Sequence, residues 1–240
     1  MQHRYVGDFG DYVKLGILRA LSVDKCLGVA WWLYPDEGHN SDGRHTKYLD
    51  DPANWKHFDS YLFEKLQQIK ASGKRHISAL EQPDILPGAI FADAPIPTAP
   101  SVKQRLESRL GWFAMLKCTL ARAEIIFVDP DNGLEPAKFS FGKVKAGKAV
   151  AYKELLALAE PDRPLIVYHH QTRRKGGHLE EISHLSEVLR DRGFRTVDAI
   201  RAAPYSPRVF FILNGSSDLR WRSELLVQEW KGALSWHPHK

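Results

Sequence analysis

Four short apolar runs constrain this chain most: GVAWWLY at residues 28–34, EIIFVD at 124–129, RPLIVYH at 163–169 and RVFFILNG at 208–215. A continuous apolar run of this length suits a strand buried on both faces, because successive side chains point to opposite faces. Between the runs, apolar residues recur at helical spacing. Strands that alternate with helices build a largely parallel sheet, since each parallel crossover needs a helix to carry the chain back. The expected class is therefore α/β, a doubly wound and mostly parallel sheet with helices on both faces. The 240 residues suit a single domain, 1–240, with one continuous core. No apolar run approaches the roughly 20 residues of a membrane span. The opening MQHRYVGDFG lacks an apolar signal core. A soluble, cytoplasmic protein is the expectation.

Local signals place the elements. Residues 11–22 put Val13, Ile17, Leu18 and Leu21 on one helical stripe, with Asp8 or Asp11 as its cap. Residues 35–55 are dense in turn formers and read as a long polar loop. A helix over 58–73, closed by Gly73, precedes a strand over 75–82 (RHISALEQ). Residues 83–100 read as a loop with at most a short strand near Phe91. Ser101 caps a long helix that feeds EIIFVD, and further helices are expected over 152–160 and 177–193. FRTVDAIRA and RVFFILNG, separated by APYSP, make a C-terminal antiparallel hairpin, and residues 219–236 close the chain as a helix.

Ligands of open α/β sheets bind beyond the carboxyl ends of the strands. Three polar turns occupy such places: PDEG at 35–38, DPDNGLE at 129–135 and HHQTRRKGGH at 169–178. Each also reads as ordinary strand-ending turn chemistry. Asp129, Asp131 and Glu135 crowd three carboxylates into seven positions, a cluster that costs repulsion unless a cation or a substrate offsets it. Asp36 and Glu37, with Asp42 and His45 beyond them, would face that cluster from the neighbouring strand. Carboxylates converging from two strands hold hard cations. On that reading Asp36, Glu37, Asp129, Asp131 and Glu135 ligate Mg or Mn in a nuclease or phosphohydrolase, with His170 as acid or base.

Only one of His169 and His170 can face the cleft, because strand side chains alternate. Arg173, Arg174 and Lys175 would contact phosphates of a nucleic acid, a partner that a net charge of +5 allows. Trp31, Trp32 and Trp55 are candidates for stacking a base. Cys26 and Cys118 have no spacing that suggests zinc or a disulfide framework. The chain contains no GxGxxG, P-loop, GxSxG or HExxH, which argues against dinucleotide oxidoreductases, P-loop NTPases, serine hydrolases and zincins.

Two segments carry a family resemblance. GDFGDYVKLGILRAL (7–21) resembles the Asn-Phe-Ala-Asp-x-x-Lys-His helix of the RlmJ-type ribosomal RNA adenine methyltransferases, and IIFVDPDNG (125–133) resembles their strand ending in Asp-Pro-Pro-Tyr. The order of elements agrees over most of the chain. The resemblance implies a Rossmann-like, methyltransferase-like fold and transfer of a methyl group from S-adenosylmethionine to a base amino group. Asp129 would accept a hydrogen bond from that amino group, Asp131 or Asn132 would contact the base, and Asp11, Lys14, Asp36, Glu37 and Gly38 would lie at the cofactor. This chain carries Asp131-Asn132 where the family has Pro-Tyr, and Leu15 where it has His. A non-catalytic binding module built on the same surface is the third expectation.

Overall fold

Helix α1 (Phe9–Leu21) starts where the Asp8 side chain accepts a hydrogen bond from the Asp11 backbone N–H, satisfying one orphan donor of its first turn. The computed structural model describes residues 1–37, 45–159 and 162–238, so Gly38, Asp42 and Gly43 lie outside the described residues. Strand β1 (Leu27–Ala30) is buried along its whole length. It is shorter than the apolar run because Trp32 takes a left-handed backbone conformation, φ 38°, that breaks the extended geometry. A short helix α2 (Pro52–Trp55) leads to α3 (Ser60–Ser72), capped by Asp59 and closed by Gly73 at φ 68°. Then come β2 (Ile90–Ala92), α4 (Val102–Thr119) with its Ser101 cap, and β3 (Ile125–Val128). Strands β4 (Gly133–Leu134) and β5 (Ala149–Val150) pair in parallel as a separate ladder. The chain continues through α5 (Tyr152–Leu158), β6 (Leu165–His170), α6 (Gly177–Asp191), β7 (Val197–Ala202), β8 (Arg208–Leu213), α7 (Ser217–Glu229) and β9 (Leu234–His237).

The main sheet has seven strands in the order β2-β1-β3-β6-β8-β7-β9. Strands β2, β1, β3 and β6 run parallel, β8 is antiparallel to both β6 and β7, and β9 is antiparallel to β7. Strands β1, β2, β3, β6 and β7 thus point one way while β8 and β9 point back. The chain moves from β1 outward to β2, then returns to the other side of β1 as β3. Strand order therefore reverses between β1 and β3, where the carboxyl ends of both strands border one crevice.

Each apolar run serves two cores. On one face Val29, Phe127, Ile166 and Phe210 pack with α1, α3 and α7; on the other, Ile126, Val128, Val167 and Phe211 pack with α4, α5 and α6. Fully burying a large apolar side chain contributes roughly 1.5–3 kcal/mol, so a strand covered on both sides gains from an apolar residue at every position. Gly16 lets α1 approach the end of α7, since a Cβ there would lie 2.5 Å from the Trp230 ring. No helix among the described residues is long and apolar enough to cross a membrane.

Two segments differ from their sequence patterns. RHISALEQ forms a 3₁₀ turn at Ile77–Ala79, not a strand. Ile77 and Leu80, three apart, both bury, and His76 accepts from the Ser78 N–H, so a tight turn satisfies core and backbone together. Residues 219–236 do not continue as one helix either. After Glu229, Gly232 turns the chain at φ 93°, and β9 adds to the edge of β7.

Candidate functional site

Asp129 is the first residue past β3, and its N–H still donates to the Ala30 carbonyl at 3.0 Å. It stands at the crevice where strand order reverses. A cavity of about 270 Å³ opens there. Helix α1 lines it with Asp8, Gly10, Asp11 and Lys14, the turn after β3 with residues 129–132, β6 with Tyr168 and His170, and β8 with Arg208.

Lys14 joins α1 to this turn. Its Nζ donates to Asp11 Oδ1 and to Asp129 Oδ2, both at 2.8 Å, and Asp11 Oδ2 accepts from the Gly7 N–H at 3.0 Å. Lys14, Asp11 and Asp129 are all buried. Burial alone would discharge Lys14, but the two carboxylates outweigh it and raise its pKa well above the ordinary lysine value. Burial lifts Asp129 and Asp11 above the usual carboxylate range, because the Lys14 ammonium they share, with the Met1 ammonium beside Asp129, offsets only part of their lost hydration. Asp129 Oδ1 has no protein donor among the described residues.

The other acidic residues are held separately. Asp131 Oδ2 accepts from Gln2 Nε2 at 2.8 Å and pairs with Lys148 Nζ at 3.0 Å; Lys148 also grips Glu37 Oε2, and the Glu37 N–H donates to Gln2 Oε1 at 3.1 Å. Burial pushes the Asp131 pKa up, but the Met1 ammonium and Lys148 more than offset it, leaving Asp131 below the ordinary aspartate value. Asp36 Oδ1 accepts from the Arg4 N–H at 3.4 Å. Glu135 Oε2 accepts from the Tyr152 N–H at 3.2 Å, at the start of α5. The five carboxylates expected as one metal-ligand set are thus divided among Lys14, Lys148, a backbone amide and a helix start. Among the described residues no group of three or more His, Cys, Asp or Glu side chains is arranged to hold a metal ion.

The histidines at the end of β6 part company. His169 is buried beneath Gly133, its Nδ1 accepts from the Leu134 N–H at 3.1 Å, and its Nε2 lies 3.6 Å from Glu181 Oε1. His170 is exposed, shares the cavity-lining side with Tyr168, and stands 3.3 Å from the Tyr168 hydroxyl through Nδ1. Beyond it lies a second cavity of about 690 Å³, which shares Asn132 and His170 with the first. Lys138, Lys143, Lys145, Arg174 and Arg192 line it against only Glu135 and Glu181, so it is basic. Arg173, Arg174 and Lys175 are exposed just ahead of α6, and of the three only Arg174 lines this cavity.

Both tryptophans of β1's run are core. Trp31 and Trp32 have no exposed surface; Trp31 Nε1 donates to Glu81 and Trp32 Nε1 to the Ala149 carbonyl. Neither presents a face to a base. Trp55 packs on Phe9 at 4.7 Å between ring centres.

Sequence reasoning missed Lys148, Gln2, Tyr168 and Arg208. Tyr168 was legible by period two from His170, and Arg208 stood out as a charge opening an apolar run. Lys148 and Gln2 had no local signal, since their importance comes from partners far along the chain.

S-adenosylmethionine, which the resemblance implies, fits the described residues only in part. The acidic lining suits a sulfonium, but 270 Å³ falls short of the roughly 300–1,000 Å³ of sites that enclose drug-sized ligands. Asp36 and Glu37 are engaged by Arg4, Gln2 and Lys148, outside the cavity lining. These residues do not form a complete donor site. No family model matches the chain and no curated protein matches it.

Proposed function

We propose that this chain is a nucleic-acid-directed enzyme of doubly wound, Rossmann-like and methyltransferase-like architecture, acting on an amino group of a base. One observation carries the reading: Asp129, a buried carboxylate past a parallel strand at the reversal of strand order, lines a cavity that joins a basic one. Asp129 Oδ1 accepts a hydrogen bond from the amino group and so fixes the direction of the nitrogen lone pair. Lys14 holds the carboxylate in place from its other oxygen. Tyr5 and Tyr168 supply the aromatic surface that Asn132 does not, and Asn132 reaches a base edge. Lys138, Lys143, Lys145, Arg174 and Arg192 take phosphates of the strand as it leaves the first cavity.

S-adenosylmethionine is the methyl donor that the resemblance implies. Calorimetric titration of S-adenosylmethionine into the full chain, with and without a short RNA, tests that assignment; no heat in either case rejects it. Asp129→Asn keeps the shape of the side chain and is expected to bind RNA as the parent does while losing transfer of labelled methyl groups. Equal methyl incorporation by the Asn variant would remove Asp129 from the reaction. RNA cleavage that appears with Mg or Mn and disappears in Asp129→Asn would move the assignment to a metal-dependent nuclease.

A further inference from the structure

Arg208 opens β8 with a guanidinium that is only 4% exposed, yet its Nε and Nη1 meet no protein acceptor among the described residues. It lines the same cavity as Asp129, Tyr168 and His170. Gly10 makes its seat: a Cβ there would lie 3.3 Å from Arg208 Cζ and 3.4 Å from Nη1. The second glycine of GDFGDY is therefore bound up with the place of a residue almost two hundred positions away. A buried charge without a counter-ion is costly, because burial removes its water and nothing on the protein replaces it. Among the described residues no carboxylate forms an ion pair with Arg208, although Asp8 Oδ1 lies nearby across Gly10. Asp8 caps α1, Asp11 and Asp129 hold Lys14, and Asp131 holds Gln2 and Lys148.

We propose that Arg208 binds an oxyanion of the molecule that occupies the cavity beside Asp129. The proposal rests on the reading of this cavity as a substrate site and extends it, from recognition of an amino group to recognition of an anion on the same ligand set. A guanidinium presents fixed planar donors that match phosphate or carboxylate oxygens. Two sources carry that chemistry, the phosphate of a bound nucleotide and the carboxylate of an amino-acid-bearing donor. The position favours phosphate: Arg208 pairs in register with His170, which borders the basic cavity.

The test titrates the full chain with adenosine and cytidine 5′-monophosphates, their nucleosides, inorganic phosphate and S-adenosylhomocysteine, for the parent, Arg208→Met and Arg208→Lys. Arg208→Met is expected to weaken monophosphate binding by about tenfold or more, with partial recovery in Arg208→Lys and no change for the nucleosides. The ligand-free Arg208→Met protein should unfold at an equal or higher temperature, since it loses a buried guanidinium that only the Phe9 ring faces, at 5.9 Å, and whose Nε and Nη1 have no acceptor among the described residues. Weakening confined to S-adenosylhomocysteine assigns the oxyanion to the amino-acid carboxylate instead. Equal binding of every anion by parent and Arg208→Met, no anion binding by the parent, or a marked fall in the unfolding temperature of Arg208→Met overturns the proposal. Loss of anion binding in Arg208→Met from a parent with no methyl transfer keeps this inference and discards the activity. Transfer that depends on Asp129 but ignores Arg208 does the reverse.

Discussion

Lys14 holds two buried carboxylates with one ammonium, and that imbalance sets what each member of the trio tolerates. Lys14→Met strips this cation from both, leaving Asp11 with no ammonium and Asp129 with only that of Met1 nearby. The expected cost is about 3–5 kcal/mol, the usual penalty for stranding a buried charge, read as a lower urea midpoint with an unchanged slope. Adding Asp11→Asn to that variant should recover part of the loss, because one of the stranded charges is gone. If Lys14→Met is neutral, the trio is not the electrostatic unit described here. Trp32 is the other costly residue at this scale, a bulky side chain at φ 38°. Its indole is held by the Ala149 carbonyl, by Trp112 at 4.8 Å and by Arg109 at 5.1 Å, contacts that fix it in the core.

Between elements, Glu181 ties α6 back to the end of β6. It accepts from the Thr172 N–H, from the Thr172 hydroxyl and faces His169. Burial works to raise its pKa, but His169 and Thr172 outweigh it and bring the carboxyl down to about 2 from an ordinary 4.5. A folded pKa below the unfolded one means the contribution is complete above pH 4.5 and is lost as pH falls from there toward 2. Glu181→Gln should cost about 2 kcal/mol at neutral pH and flatten the stability profile in that acid window, measured by urea unfolding across pH. A parallel acid slope in parent and variant would reject the assignment. The α1–α7 contact gives a second check. Gly16→Ala drives a methyl into the Trp230 ring and should lower stability by about 1–3 kcal/mol in thermal unfolding. Helix caps at Asp8 and Ser101 and the stop at Gly73 were legible because they act within four residues. The turn at Ile77–Ala79 and strand β9 were not, because burial by distant elements and the open edge of β7 decide them.

For the molecule as a whole, the net charge of +5 is concentrated usefully where the second cavity gathers five basic side chains against two acidic ones. If all five meet phosphates of a single strand, log affinity for RNA should fall with log salt at a slope of about −3.5, from −0.7 per phosphate. Filter binding over a salt series reads the slope directly; a flat dependence would remove nucleic acid from this cavity. The charge itself was visible in the composition, but the groups expected to carry it were Arg173, Arg174 and Lys175. Only Arg174 reaches the cavity; the rest of its basic lining comes from residues 138–145 and from Arg192, just past the end of α6.

The sequence by itself determined the α/β class, the C-terminal hairpin of β7 and β8, and the polar turn that ends a buried strand at Asp129. These follow from periods of two and 3.6 residues and from turn chemistry, all of which act over short separations. Tertiary structure decided what neutralises the acidic turns. Lys14 reaches Asp129, Gln2 reaches Asp131 and Lys148 reaches Glu37 across 115, 129 and 111 residues. A carboxylate looks the same in sequence whether its partner is a lysine, a metal or a substrate. Only the fold places a counter-charge within 3 Å, and only the fold leaves Arg208 Nε and Nη1 without an acceptor among the described residues.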